Sequence, residues 1–115
     1  MAGYSIFNDA SIRDYQFKSP QWTVRKNFDG TGVFGPMLVS VDEFPPCAFG
    51  LRLTTKIGSD VMQDGNTADM LVMGTPGGVG FVRKPPVYLG PGDTMTVTIE
   101  GIGELVNDVV DELQP

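Results

Sequence analysis

Apolar and polar side chains alternate most regularly in two places along this chain. Leu51, Leu53, Thr55 and Ile57 fall on one parity, with Arg52, Thr54 and Lys56 between them. Successive side chains of a strand point to opposite faces, so this spacing predicts a strand with one buried and one wet face. Gly58-Ser59 then supplies a tight turn, and residues 60–64 return as the second arm of a hairpin. The same alternation recurs where Met95, Val97 and Ile99 interleave with Thr94, Thr96 and Thr98. There the segment Glu100-Gly101-Ile102-Gly103 turns and residues 105–110 return. Two shorter runs, 4–8 and 37–41, are rich in apolar or β-favouring residues and predict two more strands.

Helix has little room. The chain holds 15 glycines and 9 prolines spread along its length, and both break helix interiors. One helical turn is predicted over residues 11–17, with Ser11 as its cap, Asp14 three residues on in place of a capping-box Glu, and Pro20 closing it. The stretch Gly74-Thr75-Pro76-Gly77-Gly78-Val79-Gly80 has too many glycines for a strand interior and too little polarity for a disordered linker, so it reads as an ordered loop. Trp22, Phe28 and Phe34 are expected in the core, because a small fold has few large apolar residues to place there. The expectation is a single mainly β domain over residues 1–115.

Composition narrows the function. A net charge of −6 repels phosphates and anionic lipid heads, which argues against nucleic acid and membrane surfaces as partners. No apolar run approaches the roughly 20 residues of a membrane-spanning helix, and residues 1–17 lack the basic start and apolar core of a secretory signal. A cytoplasmic or organelle-matrix location follows as an expectation. With one cysteine, Cys47, stability rests on packing and hydrogen bonds rather than an internal disulfide. With no histidine, the chain by itself builds no Ser-His-Asp triad, Cys-His dyad or histidine zinc site.

Three blocks carry chemistry. The first is Ile6-Phe7-Asn8-Asp9-Ala10-Ser11-Ile12-Arg13-Asp14-Tyr15-Gln16. The second runs from Trp22 through Lys26-Asn27-Phe28-Asp29 to Phe34-Gly35-Pro36. The third joins Gln63-Asp64-Gly65-Asn66-Thr67-Ala68-Asp69-Met70 to the Gly74-Thr75-Pro76 loop, Pro85-Pro86, Pro91-Gly92-Asp93 and Ile99-Glu100-Gly101-Ile102-Gly103. In this order, over nearly the whole chain, they resemble the C-terminal catalytic domain of the fumarylacetoacetate hydrolase family.

That resemblance implies a β-roll or sandwich of short strands and a divalent-metal-dependent cleavage, by hydrolysis or decarboxylation, of carbon–carbon bonds in small oxo acids such as acylpyruvates. It implies Mg²⁺ or Mn²⁺ held by three carboxylates, with Asp9 in the place of the third, chelating a 1,3-dicarbonyl and stabilising the departing enolate. Lys26 matches the catalytic lysine, able to support the metal-site charge or to hold a developing oxyanion. Arg13 and Gln16 match residues that bind the substrate, as do Thr75 and its neighbour Gly74 in the Gly-Thr-Pro loop. The active unit is expected to be a homodimer or another oligomer.

The departures are specific. The other two carboxylates belong to a Glu-x-Glu block upstream of the Asn-Asp motif, and the family's His and Glu on a lid are also missing. Only Leu71-Val72-Met73 stands between Asp69-Met70 and Gly74-Thr75-Pro76, where the family has a helix and a Gly-Asp strand. The domain is thus expected to be truncated and internally shortened. Ile12 and Asn27 stand where the family usually has Ala and Ser. Outside the family context Asp9 is a turn residue and Lys26, beside Arg25, a solvated surface cation. The glycine-rich loop lacks the Gly-Lys-Ser/Thr of a phosphate cradle. A catalytically inactive structural or oligomerisation remnant of the fold is the rival reading, and a partner polypeptide supplying the two carboxylates is a third.

Overall fold

A computed structural model describes residues 1–16, 18, 26–69, 77 and 79–111. The strands form two antiparallel sheets. Strand β1 (Gly3–Asn8) pairs with β2 (Val33–Ser40). The second sheet has the order β4-β3-β5-β6, made of β3 (Arg52–Ile57), β4 (Asp60–Asn66), β5 (Thr94–Ile99) and β6 (Gly103–Asp108).

Both alternating segments become strands with the expected inside and outside. Leu51, Leu53 and Thr55 are buried, while Arg52 and Lys56 are exposed. Across the ladder Thr55 faces Val97, which faces Leu105, so one row of the sheet presents buried side chains to the same side. The β5–β6 turn is closed by the Ile102 N–H donating to the Ile99 carbonyl at 3.0 Å. At the other end of β6, the Val109 N–H reaches the Asp93 carbonyl at 2.8 Å, which carries the return nearly to residue 110.

Three boundaries differ from expectation. Strand β2 begins at Val33 rather than residue 37, because it accommodates Gly35 and Pro36 at an irregularity in its pairing with β1. The Ser5 hydroxyl spans that irregularity, donating to the Gly35 carbonyl at 3.2 Å. Strand β4 runs on to Asn66 rather than stopping at residue 64; its register slips between Thr55 and Lys56, leaving Met62 as the extra residue. The Met62 carbonyl accepts from Arg83 Nη2. The helix starts at Arg13 rather than residue 11, giving α1 (Arg13–Gln16), while residues 17 and 20 of the expected turn and its close lie outside the described residues.

Strands β1 and β2 lie over β5 and β6, giving the small sandwich that the family resemblance implies. Ile6, only 1% exposed, meets Val97, Ile102 and Leu105 in the core between the sheets. Tyr4, Val33, Val39, Phe44 and Ile99 pack around them. Phe34 is a correction: it is 66% exposed, because its parity on β2 turns it away from that core. Phe28 is half-buried and Trp22 lies outside the described residues.

Candidate functional site

Strand β1 ends at Asn8, and the chain then leaves the sheet through Asp9 and turns into α1. Asn8 is buried, and its Nδ2 donates to the Asn107 Oδ1 of β6 at 3.0 Å. Asp9, one residue later, is exposed, and its carboxylate forms an ion pair with the Lys26 ammonium. The two side chains are 39% and 31% exposed. A pair this open adds at most about 1 kcal/mol to stability, so its interest is chemical rather than structural.

Lys26 is held by its own turn. The Thr31 hydroxyl lies 2.9 Å from the Lys26 carbonyl and 2.6 Å from the Phe28 carbonyl, able to donate to one or the other. The Thr31 N–H also reaches the Phe28 carbonyl at 3.2 Å. Phe28 then packs edge-on against Tyr15 of α1, with ring centroids 4.7 Å apart at 71°. Such aromatic pairs contribute about 0.5–1.5 kcal/mol beyond area burial. The Lys18 ammonium sits over the Tyr15 ring, 3.6 Å from its centroid. On α1 itself Arg13 Nη1 donates to the Oε1 of Gln16, whose residue is 5% exposed.

Four of the residues singled out in the sequence thus fall into two contacts on neighbouring segments: Asp9 with Lys26, and Arg13 with Gln16. Gly74 and Thr75 lie outside the described residues. Among the described residues no three His, Cys, Asp or Glu side chains converge as a metal site would require. A single carboxylate does not satisfy Mg²⁺ or Mn²⁺, ions that take about six oxygen ligands. The described donor set therefore does not fit such an ion by itself.

Two open clefts lie elsewhere. One, of about 600 Å³, runs along Leu38, Ser40, Glu43 and Phe44 to Gly101, and the other lies over Arg52, Thr54, Thr98 and Glu100. Neither is lined by Asp9, Arg13, Gln16 or Lys26. The converging charges, not the larger hollow, mark the candidate site, because cleft volume alone supplies no chemistry. Sequence reasoning gave no role to Asn8, Asn107 or Thr31. Asn8 sat inside the quoted Asn-Asp motif, but nothing local links it to a residue 99 positions away.

The arrangement has known counterparts. The chain is 32% identical over 133 aligned residues to the protein named oxaloacetate tautomerase Fahd2a, mitochondrial, of Rattus norvegicus, covering 96% of this chain and 42% of that protein. A solved fumarylacetoacetate hydrolase from psychrophilic Exiguobacterium antarcticum superimposes with a TM-score of 0.89 at 38% identity, over 96% of this chain and 47% of that one. A 5-carboxymethyl-2-hydroxymuconate delta-isomerase from Mycobacterium smegmatis gives a TM-score of 0.76 at 34% identity, over 95% of this chain and 48% of that one. The chain thus spans less than half the length of these relatives. The family model for the fumarylacetoacetate (FAA) hydrolase C-terminal domain matches residues 1–73 and again 69–110. The two matched stretches meet at 69–73, and the aligned length of 133 exceeds the chain's own 115 residues. Relatives therefore carry a segment that this chain lacks, and the family match places the break at 69–73, the point where the sequence is expected to be internally shortened. No helix among the described residues is long and apolar enough to cross a membrane. By its matched blocks and its two-sheet fold, the chain belongs to the fumarylacetoacetate hydrolase family, in the C-terminal domain of that family.

Proposed function

We propose that the chain contributes part of an active site for cleaving carbon–carbon bonds in small oxo acids such as acylpyruvates, by metal-assisted hydrolysis or decarboxylation. The observation that carries this is the meeting of Asp9 and Lys26 beside α1, where Arg13 and Gln16 also stand. Related proteins named as a tautomerase, an isomerase and a hydrolase support an oxo-acid substrate. Oxaloacetate is a 2-oxo acid, and its tautomerisation and the cleavage of a 1,3-dicarbonyl both pass through an enol or enolate.

In this reading Lys26 donates from its ammonium to an oxygen that gains negative charge, the stabilisation that preorganised donors give. Arg13 adds a second cation for the substrate carboxylate, and Gln16, buried against it, sets its direction. Gly74 and Thr75 are assigned to the substrate by the same reading. Asp9 would contribute one carboxylate to a Mg²⁺ or Mn²⁺ site whose other ligands come from outside the described residues. The working unit is a homodimer or other oligomer in the cytoplasm or an organelle matrix.

A specific observation favours the rival reading of an inactive structural remnant: among the described residues no two further carboxylates converge with Asp9. Titrating the chain with Mn²⁺, followed by an acylpyruvate turnover assay, separates the two. The catalytic reading expects Mn²⁺ binding that Asp9→Ala abolishes and turnover, weak in the isolated chain, that Lys26→Ala lowers by roughly 10²-fold or more. If Mn²⁺ does not bind and Asp9→Ala changes nothing, the remnant reading stands.

A further inference from the structure

The last ladder pair of β1 is Asn8 with Val33, so the backbone carrying Asp9 departs the sheet one residue after its final partner. What holds that departure point is a side chain. Asn8 is 7% exposed, and a buried amide without a partner is penalised by about 1–3 kcal/mol. Its Nδ2 is satisfied by the Asn107 Oδ1 at 3.0 Å, across the gap between the two sheets. Apolar packing between the sheets, as of Ile6 on Val97, Ile102 and Leu105, would tolerate small slides and rotations. A directional hydrogen bond tolerates fewer, and this one is formed by the residue adjoining Asp9.

We propose that Asn8 and Asn107 form a positioning pair for Asp9, coupling the direction of its carboxylate, and hence its contact with Lys26, to the β5–β6 hairpin. The inference rests on the reading of Asp9 and Lys26 as a functional pair, but its test needs neither substrate nor metal. Asn107 bonds to Asn8, and among the described residues no hydrogen bond or ion pair joins it to Asp9 or Lys26, so its effect on them passes through Asn8. A merely structural role would show in stability alone.

The readout is the hydrogen-bond scalar coupling between the Lys26 ¹⁵Nζ and the Asp9 ¹³Cγ, measured by NMR on the whole chain. Asn107→Leu removes the acceptor and is expected to abolish the coupling while the methyl signals of Ile6 and Leu105 stay dispersed. Asn107→Asp restores an oxygen acceptor and is expected to keep it. An unchanged coupling in Asn107→Leu overturns the proposal. Should that variant fail to fold, Asn107→Ser, whose shorter side chain gives up the contact with Asn8, takes its place and is expected to abolish the coupling; an unchanged coupling in Asn107→Ser overturns the proposal as well. Absence of Mn²⁺ binding or turnover would sink the catalytic reading and leave this coupling measurement intact.

Discussion

A Cβ built on Gly101 would stand 2.5 Å from the Cε1 of Phe44, at a backbone φ of 79° that side-chain-bearing residues rarely adopt. Phe44 packs against the core cluster and meets Tyr4 edge-on, with centroids 5.9 Å apart at 79°. Gly101→Ala therefore combines backbone strain with displacement of a packed ring. The expected loss of stability is about 1–3 kcal/mol, read as a lower urea midpoint. Gly58→Ala is the control, since its φ is 55° but nothing lies within 4 Å of its Cβ position. It should cost roughly 1 kcal/mol. Equal midpoints for the two variants would show that the Phe44 contact contributes nothing. Sequence reading found both turns, because glycine between alternating runs is a local signal. It could not find the Phe44 contact, which brings together residues distant along the chain.

The β3–β4 hairpin carries the clearest electrostatic feature. Arg52 donates from Nε to Asp64 Oδ1 at 2.9 Å and from Nη2 to Oδ2 at 2.8 Å, a two-pronged contact across the ladder. Hydrogen bonding from Arg52, outweighing partial desolvation and joined by its charge, holds the Asp64 carboxyl below the usual carboxylate range. A carboxyl whose pKa is lower folded than unfolded binds its proton more readily in the unfolded chain. Its contribution is therefore present above about pH 4, the ordinary range for Asp, and is lost as pH falls through the folded-state value. The two side chains are 67% and 49% exposed, so the effect is small and screened by salt. Melting curves should show wild type above Asp64→Asn at pH 6 in low salt, with the gap closing as pH drops below 4. A gap that widens toward low pH contradicts this sign. Hairpins of this kind were legible because one half-buried face enforces period-2 alternation. Strand β2 was legible only from residue 37 onward, since Gly35 and Pro36 hide its first half.

Among the described residues there is one small core cluster and a wide apolar exterior. The domain's fold could be inferred from period and from family blocks, whereas the pairing of Asp9 with Lys26 needed tertiary structure to appear. Neither residue has a periodic signature, and a loop-borne cation reads locally as a solvated one. The exterior follows from the same parity rule that buries Ile6: Phe7, the next residue on β1, must face outward. Opposite it across the ladder stands Phe34, and the two are 56% and 66% exposed. Monomers seldom leave paired aromatics in water, because burying each ring is worth about 1.5–3 kcal/mol. Association of two copies through this face would recover part of that. Sedimentation velocity over a tenfold concentration range is expected to show species heavier than 12.4 kDa. Phe34→Ser should shift the distribution toward monomer while leaving the urea midpoint of the dilute protein within about 0.5 kcal/mol of wild type, as substitutions at exposed sites usually do. A concentration-independent monomer would remove self-association from the picture, and a Phe34→Ser variant that assembles like wild type would move the contact to another surface.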